Sequence, residues 1–229
     1  MKICVIPARG GSKRIPKKNI KDFNGKPVIA YPIKAALESE LFDQVIVSTD
    51  DTEIAEIAQH YGAQVPFMRP EHLADDFAGT IPVLRHTYDW CQEQGWQVEN
   101  LCNLYPVNPF VTSEIVCSAY QFWADSDFDM CMGVCEFESA PQRAMKINEF
   151  GALNRLYPEY ANTRTQDLEA IYYDSGMFYF YKTASLFDKK FTKPFRAQPY
   201  RLPRHLVHDI DTKSDWEFAE KMFALVNDN

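Results

Sequence analysis

The sequence predicts an α/β protein built on a mainly parallel, doubly wound sheet, and two patterns carry that prediction. Short strand-like runs at 2–6, 44–49 and 100–105, the first of them β-branched, alternate with segments whose apolar residues recur at helical spacing, the rhythm of strand-helix-strand units. The first run ends in a loop holding Gly10, Gly11 and a cluster of cations, at the strand end where an open α/β sheet binds its ligand. The chain has 229 residues, 46% hydrophobic and 24% charged. That is globular composition and enough length for one domain over 1–229 that buries about three-quarters of its unfolded surface.

Taken in order, Lys2–Ile6 reads as a buried strand and 6–19 as a loop. Pro27 to Glu38 reads as a helix with Ile29, Ile33, Ala36 and Leu37 on one face, kinked or delayed by Pro32. Residues 44–49 form a second buried strand with Asp50 and Asp51 at its carboxyl end. The next helix puts Ile54, Ile57, Ala58 and Tyr61 on one stripe, with Asp51 or Thr52 as its cap and Gly62 as its stop. A short strand over 64–66 leads into a long turn, Phe67 to Gly79, that carries Arg69-Pro70 and Asp75-Asp76. Thr80 caps a helix reaching about Gln94, with Pro82 in its first turn. Asn100–Tyr105 is a fourth strand, followed by the rigid loop Pro106–Pro109.

The fifth strand covers Asp129–Glu136, and after it the rhythm changes. Residues 138–172 lack long apolar stripes but hold Arg143, Lys146, Arg155, Arg164 and several aromatics, which predicts a small excursion from the sheet. A strand at Tyr173–Tyr181 returns to the core. The last helix starts at Thr212, with Asp215 as a capping-box partner, and buries Trp216, Ala219, Met222, Phe223 and Val226.

Composition excludes several classes. A formal net charge of -8 argues against nucleic acid and anionic membrane surfaces as partners. No apolar run reaches eighteen residues, and Met1 leads directly into the first strand, so a cytoplasmic location without a membrane partner is expected. Cysteines 4, 91, 102, 117, 131 and 135 include no C-x-x-C pair and read as reduced, largely buried side chains. His205 and His208 have no soft ligands near them in sequence, and no zinc site is expected there.

The chemistry concentrates at two places. In the first loop, Gly10 and Gly11 let the backbone approach a ligand, and Arg9, Lys13, Arg14, Lys17 and Lys18 add five cations within ten residues. Neither a G-x-G-x-x-G fingerprint nor a P-loop is present. A lysine run is commonly a solvated face. Here it sits at a strand mouth in an acidic chain, where it focuses positive potential suited to a polyphosphate. The second place is His208-Asp209-Ile210-Asp211. In extended chain the two aspartates point to one side and Ile210 to the other. Such a pair suits Mg²⁺, which completes its shell with water and phosphates; the competing reading makes Asp211 a helix cap. Loop and pair together imply a metal-bound polyphosphate and nucleotidyl transfer.

The segments Ile6-Pro-Ala-Arg-Gly-Gly-Ser-Lys-Arg-Ile-Pro-Lys-Lys-Asn19, Ile46-Val-Ser-Thr-Asp50 and Asp209-Ile-Asp-Thr212 resemble the CMP-sialic acid synthetase family of cytidylyltransferases, in order over nearly the whole chain. Within it, Glu136-Phe-Glu-Ser-Ala-Pro-Gln-Arg-Ala144, Thr163-Arg-Thr-Gln-Asp-Leu168 and Asp174-Ser-Gly176 are most similar to the pseudaminic acid cytidylyltransferases. The resemblance implies a Rossmann-like nucleotidyltransferase fold and a small dimerisation region at 138–172, hence a homodimer. It also implies a reaction of CTP with a nonulosonic acid, pseudaminic acid foremost, giving the CMP-sugar and pyrophosphate with Mg²⁺.

Carried over by position, Arg9, Gly10, Gly11, Ser12, Lys13, Lys18 and Asn19 meet the triphosphate, and Arg69, Ala78 and Thr80 read the cytosine. Asp209 and Asp211 ligate the metal, and Arg9, Lys18 and Asp211 carry the chemistry, Asp211 by helping to deprotonate the attacking hydroxyl. Tyr105, Gln142, Arg143, Arg164, Gln166 and Ser175 meet the sugar, Arg143 and Arg164 from the region that reaches into the neighbouring subunit's site. Two departures point away from N-acetylneuraminate. The sialic acid branch reads Gln-Pro-Thr-Ser-Pro where this chain has Tyr105-Pro-Val-Asn-Pro, and Asn-Gly where it has Ser175-Gly176. The rival readings are N-acylneuraminate or legionaminate activation and, in a different class, a noncatalytic CTP sensor, for which the aspartate pair is superfluous.

Overall fold

The computed structural model describes residues 1–75, 77–187 and 196–227; Asp76, in the expected turn, lies outside them. Strand β1 (Lys2–Pro7) precedes a ribbon of β2 (Asp22–Phe23) and β3 (Lys26–Pro27), then α1 (Ala30–Glu38), β4 (Gln44–Ser48), α2 (Thr52–His60) and α3 (Thr80–Glu93). Next come β5 (Asn100–Leu104), α4 (Ser113–Ala124), β6 (Met130–Glu136), the hairpin β7 (Met145–Ile147) and β8 (Leu153–Arg155), and the long β9 (Tyr172–Lys182). The chain closes with α5 (Thr183–Phe187), β10 (Ala197–Arg201) and α6 (Lys213–Asn227). Six strands form one sheet in the order β10-β6-β9-β5-β1-β4. Strands β4 and β5 lie parallel to β1, and β10 parallel to β6, while β9 runs antiparallel to both β5 and β6.

Strand alternation divides the core into two layers. Cys4, Ile6, Val45, Val47, Cys102, Leu104, Phe178 and Phe180 pack on one side with residues of α1, α2, α4 and α6, including Ile33, Ile54, Trp123 and Trp216. Ile3, Val5, Ile46, Leu101 and Tyr181 pack on the other with Leu84 and Cys91 of α3 and Phe187 of α5. Both faces are covered, which is why these strands read as near-continuous apolar runs. All six cysteines are free thiols, and only Cys117 is not fully buried.

The expected helix from Pro27 begins later, at Ala30. Pro27 belongs to β3, and Asn24 and Gly25, both at positive φ, form the two-residue turn of the ribbon. Pro32 sits in the first turn, where its missing N–H has no helical partner to lose. Leu37 is 40% exposed rather than facing the core. Residues 64–66 form no strand; Gln64 and Met68 make isolated bridges to Ile46 and Thr49. Gly79, not Thr80, is the N-cap of α3, because the Thr80 hydroxyl is engaged with Tyr105. Helix α4, capped by the Thr112 hydroxyl accepting from Ile115 N–H at 3.3 Å, is a further element that strand periodicity does not reveal.

Other local expectations hold. The Asp51 carboxylate caps α2 by accepting from Glu53 and Ile54 N–H at 2.9 and 3.1 Å. At α6, Asp215 N–H donates to the Thr212 hydroxyl and Thr212 N–H donates back to the Asp215 carboxylate at 2.7 Å, the reciprocal capping box. Residues 138–171 leave the sheet as short turns and the β7–β8 hairpin, whose strand residues are all exposed. Among the described residues no helix is long and apolar enough to cross a membrane.

Candidate active site

The carboxyl ends of β1 and β5, the middle of β9 and the segment before α6 surround a cavity of about 900 Å³. It is lined by Arg9, Ser12, Lys13, Lys18 and Asn19 from the first loop, Tyr105 and Asn108 after β5, Asp174 and Ser175 on β9, and Asp209 and Asp211. Loop and aspartate pair, 190 residues apart in sequence, therefore share one volume. Lys18 Nζ lies 3.1 Å from Asp211 Oδ1, and Arg14 Nη1 lies 2.8 Å from Asp211 Oδ2. Asp211 thus carries a cation on each oxygen.

Side chains of neighbouring elements shape the loop. Gly10 N–H donates to Asp50 Oδ1 at 2.9 Å, which ties the loop to the end of β4. A Cβ on Gly10 would stand 2.7 Å from Asp51 Oδ2, so this glycine is required by close approach to the cap of α2. Gly11 has nothing within 4 Å of its would-be Cβ, which leaves that side of the backbone open. Asn19 Nδ2 donates to the Arg9 carbonyl at 2.8 Å and closes the loop on itself. Lys17 instead turns outward to Glu53 of α2.

The turn expected to read the base is connected to this loop through Arg9, whose Nη1 donates to the Asp75 carbonyl at 2.6 Å; Asp75 Oδ1 in turn accepts from Ala78 N–H at 2.6 Å. Arg69 is buried and donates to the Ser48 hydroxyl and carbonyl. Burial pushes its pKa down to about 10, with the Arg9 charge adding to the effect against the opposing pull of Asp50, and it stays cationic near neutrality. Thr80 Oγ1 lies 3.1 Å from the Tyr105 hydroxyl, which links the start of α3 to the cavity wall.

Burial raises the pKa of Asp209, and the adjacent Asp211 charge raises it further. Ile210 is buried between the two aspartates, as alternation in an extended segment requires. Two hard carboxylates in one volume fit a divalent cation whose other ligands are water and phosphate oxygens. No cluster of three or more His, Cys, Asp or Glu that could hold a metal by protein groups alone occurs among the described residues.

The residues expected to read the sugar divide into two groups. Tyr105 and Ser175 line the cavity, Ser175 donating to the Gly133 carbonyl at 2.8 Å. Gln142, Arg143, Arg164 and Gln166 do not line it. Gln142 Nε2 donates to the Glu169 carbonyl at 2.9 Å, Arg143 donates to the carbonyls of Tyr160, Ala161 and Thr163, and Arg164 pairs with Asp167 at 2.7 Å. Within the chain, these three hold the excursion together. Residues not anticipated at the cavity include Asp174, Tyr179, Asn108 and the segment Leu206–His208. Asp174, Asn108 and His208 stand inside the quoted segments Asp174-Ser-Gly176, Tyr105-Pro-Val-Asn-Pro and His208-Asp209-Ile210-Asp211, where pattern alone gave them no role.

Comparison with known proteins follows the same lines. The chain is 40% identical over 223 residues to a pseudaminic acid cytidylyltransferase of Campylobacter jejuni, covering 97% of this chain and 96% of that protein. It is 32% identical to a CMP-N,N'-diacetyllegionaminic acid synthase of Legionella pneumophila over the same shares. Among solved structures, a CMP:2-keto-3-deoxy-manno-octonic acid synthetase complexed with CTP superposes with a TM-score of 0.70 at 19% identity, over 98% of this chain and 99% of that one, a likeness of fold. Residues 3–227 match the cytidylyltransferase family, and the chain belongs to it.

Proposed function

We propose that this chain transfers CMP from CTP to the anomeric hydroxyl of pseudaminic acid, a nonulosonic acid, releasing pyrophosphate. The observation that carries the reading is the meeting of the basic loop and the aspartate pair in one cavity through Lys18 and Asp211, in a chain 40% identical to a pseudaminic acid cytidylyltransferase. Arg9, Lys13 and Lys18 lie against the triphosphate, and Ser12 and the open backbone at Gly11 approach its oxygens. Arg69, Ala78 and Thr80 hold the cytosine end.

In the reaction the anomeric oxygen bonds to the α-phosphorus as the bond to the bridging oxygen breaks, and pyrophosphate leaves with that electron pair. The loop cations stabilise the charge that gathers on the leaving group. Asp211 helps to take the proton of the attacking hydroxyl. Asp209 and Asp211 would also hold Mg²⁺, which when bound neutralises phosphate oxygens.

The exposed apolar side chains of the hairpin region, with Ile147 72% and Phe150 85% exposed, support a homodimer formed through 138–172. Such a dimer would bring Arg143, Arg164 and Gln166 to the neighbour's cavity, and the enzyme would work in the cytoplasm. Legionaminate activation is the second reading, supported by the 32% identical Legionella relative. The test is pyrophosphate release from CTP and Mg²⁺ with a panel of nonulosonic acids. Release with pseudaminic acid is expected; release only with another acid changes the sugar, and CTP binding without release from any acid supports a sensor.

A further inference from the structure

We infer that Asp174 determines sugar specificity by accepting hydrogen bonds from the acylamino N–H groups of the substrate acid. The inference deepens the proposed reaction and rests on it. Among the described residues three carboxylates line the cavity: Asp174, Asp209 and Asp211. The last two form the pair before α6, and Asp211 is neutralised by Lys18 and Arg14. Asp174 has no cation beside it among the described residues. Its Oδ1 accepts from Gly176 N–H at 2.9 Å and its Oδ2 from the Tyr179 hydroxyl at 2.6 Å. Asp174 is exposed to the cavity, so its charge is solvated in the free protein; once two anionic substrates displace that water, the carboxylate repels them unless substrate donors replace it. Each carboxylate oxygen has two lone pairs. One on each is engaged, and one on each remains for a ligand.

Strand β9 is built to present this group. Met132 of β6 opposes Tyr179 and Val134 opposes Asp174, so β9 spends extra residues over the same length of β6 and bulges there. Gly176 takes a φ of 62° within the bulge, and Ser175 is tied to Gly133 on β6. Bulges re-aim side chains beside active sites. The Tyr179 hydroxyl that holds Asp174 is strongly raised in pKa, first by burial and then by its hydrogen bond to Asp174, so it remains a donor throughout the working pH range. Its ring also packs edge-on against Tyr105 at 5.8 Å. Asp174 is therefore a fixed acceptor whose orientation need not be won on binding.

A carboxylate accepts from hydroxyl and amide donors alike, as Asp174 does from Tyr179 and Gly176; the donors that separate the two kinds of acid are the amide N–H groups, which a diacylamino acid such as pseudaminic acid carries and a hydroxyl-only 3-deoxy-2-keto acid lacks. Its charge also disfavours the reversed pose, in which the carboxylate of the sugar acid would face β9, and so turns that carboxylate toward the basic loop. The test uses full-length Asp174→Asn and Asp174→Ala with CTP and Mg²⁺, measuring KM and kcat for pseudaminic acid and a hydroxyl-only acid, CTP affinity and thermal stability. Loss of a charged hydrogen bond predicts a fall of roughly 10- to 150-fold in kcat/KM for pseudaminic acid. The fall should lie mainly in the KM for the sugar, with CTP affinity within about twofold of wild type and preference over the hydroxyl-only acid reduced. Unchanged kcat/KM, or parallel losses for both acids and for CTP binding, would overturn the assignment. A wild-type enzyme silent with every acid would refute the reaction and this inference together.

Discussion

Replacing Gly10 by alanine separates what the two glycines of the first loop do. The new methyl would stand 2.7 Å from Asp51 Oδ2 and 2.9 Å from Asp51 Cβ, below any ordinary contact. Either the loop moves, straining the Gly10 N–H bond to Asp50, or Asp51 moves and releases the N–H groups of Glu53 and Ile54 at the start of α2. Loss of a cap costs about 1 kcal/mol and overpacking about 1–3 kcal/mol. Because the loop lies at the surface and can yield, a total of about 2–3 kcal/mol is expected. In a domain of this size that lowers Tm by roughly 4–12 °C. Gly11→Ala meets no atom within 4 Å and should leave Tm within about 2 °C. It should nevertheless weaken CTP binding, because the methyl occupies the side from which phosphate approaches the backbone. Thermal unfolding and calorimetric titration with CTP measure both quantities. Equal stability losses in the two variants, or a Gly10→Ala protein as stable as wild type, would refute this division of roles.

Four other outcomes follow from the same geometry. Lys18→Met should lower kcat/KM at least about 100-fold while the fold persists, because Lys18 touches both the cavity and Asp211. Lys17→Ala, whose lysine pairs outward with Glu53, should cost little, and equal losses would mean that the loop acts only as diffuse charge. His86 has its pKa lowered, first by burial and then by the Arg69 and His72 charges, and its buried Nδ1 finds no partner among the described residues. Above the unfolded value near 6.5 both states are neutral; as pH falls below it the unfolded chain takes the proton first and stability declines. His86→Phe should flatten that acid limb in urea titrations between pH 7 and 5, and an unchanged limb would assign it to other groups. Ile147→Glu on the exposed hairpin should shift a dimer to monomer in sedimentation with Tyr105 and its cavity untouched, and an unaltered dimer would exclude the hairpin as the interface.

Much of the sheet was legible because its strands are covered on both faces and read as short apolar runs. The caps at Asp51 and Thr212 were legible because capping chemistry is local. Thr80 misled for the same reason: a threonine before a helical pattern is a cap by default, and only the tertiary neighbour Tyr105 takes its hydroxyl. The Asn24-Gly25 hairpin turn was readable but hidden by the helical stripe that follows it. The loop and the aspartate pair were visible as motifs, whereas their contact through Lys18 and Asp211 depends on how α6 returns to β1. Asp174 was opaque because its exposure in the cavity comes from the bulge between β6 and β9, which is a property of register rather than of pattern.

Transfer of the α-phosphoryl group to the sugar is the central claim, and positional labelling tests it most directly. CTP carrying label at the α- or at the γ-phosphorus would be incubated with the protein, Mg²⁺ and pseudaminic acid, and the products separated. The account predicts α-label in a CMP-sugar and γ-label in pyrophosphate, in equal amounts. Label from the γ-position in the sugar, or α-label remaining in CTP while the nucleotide binds, would contradict it.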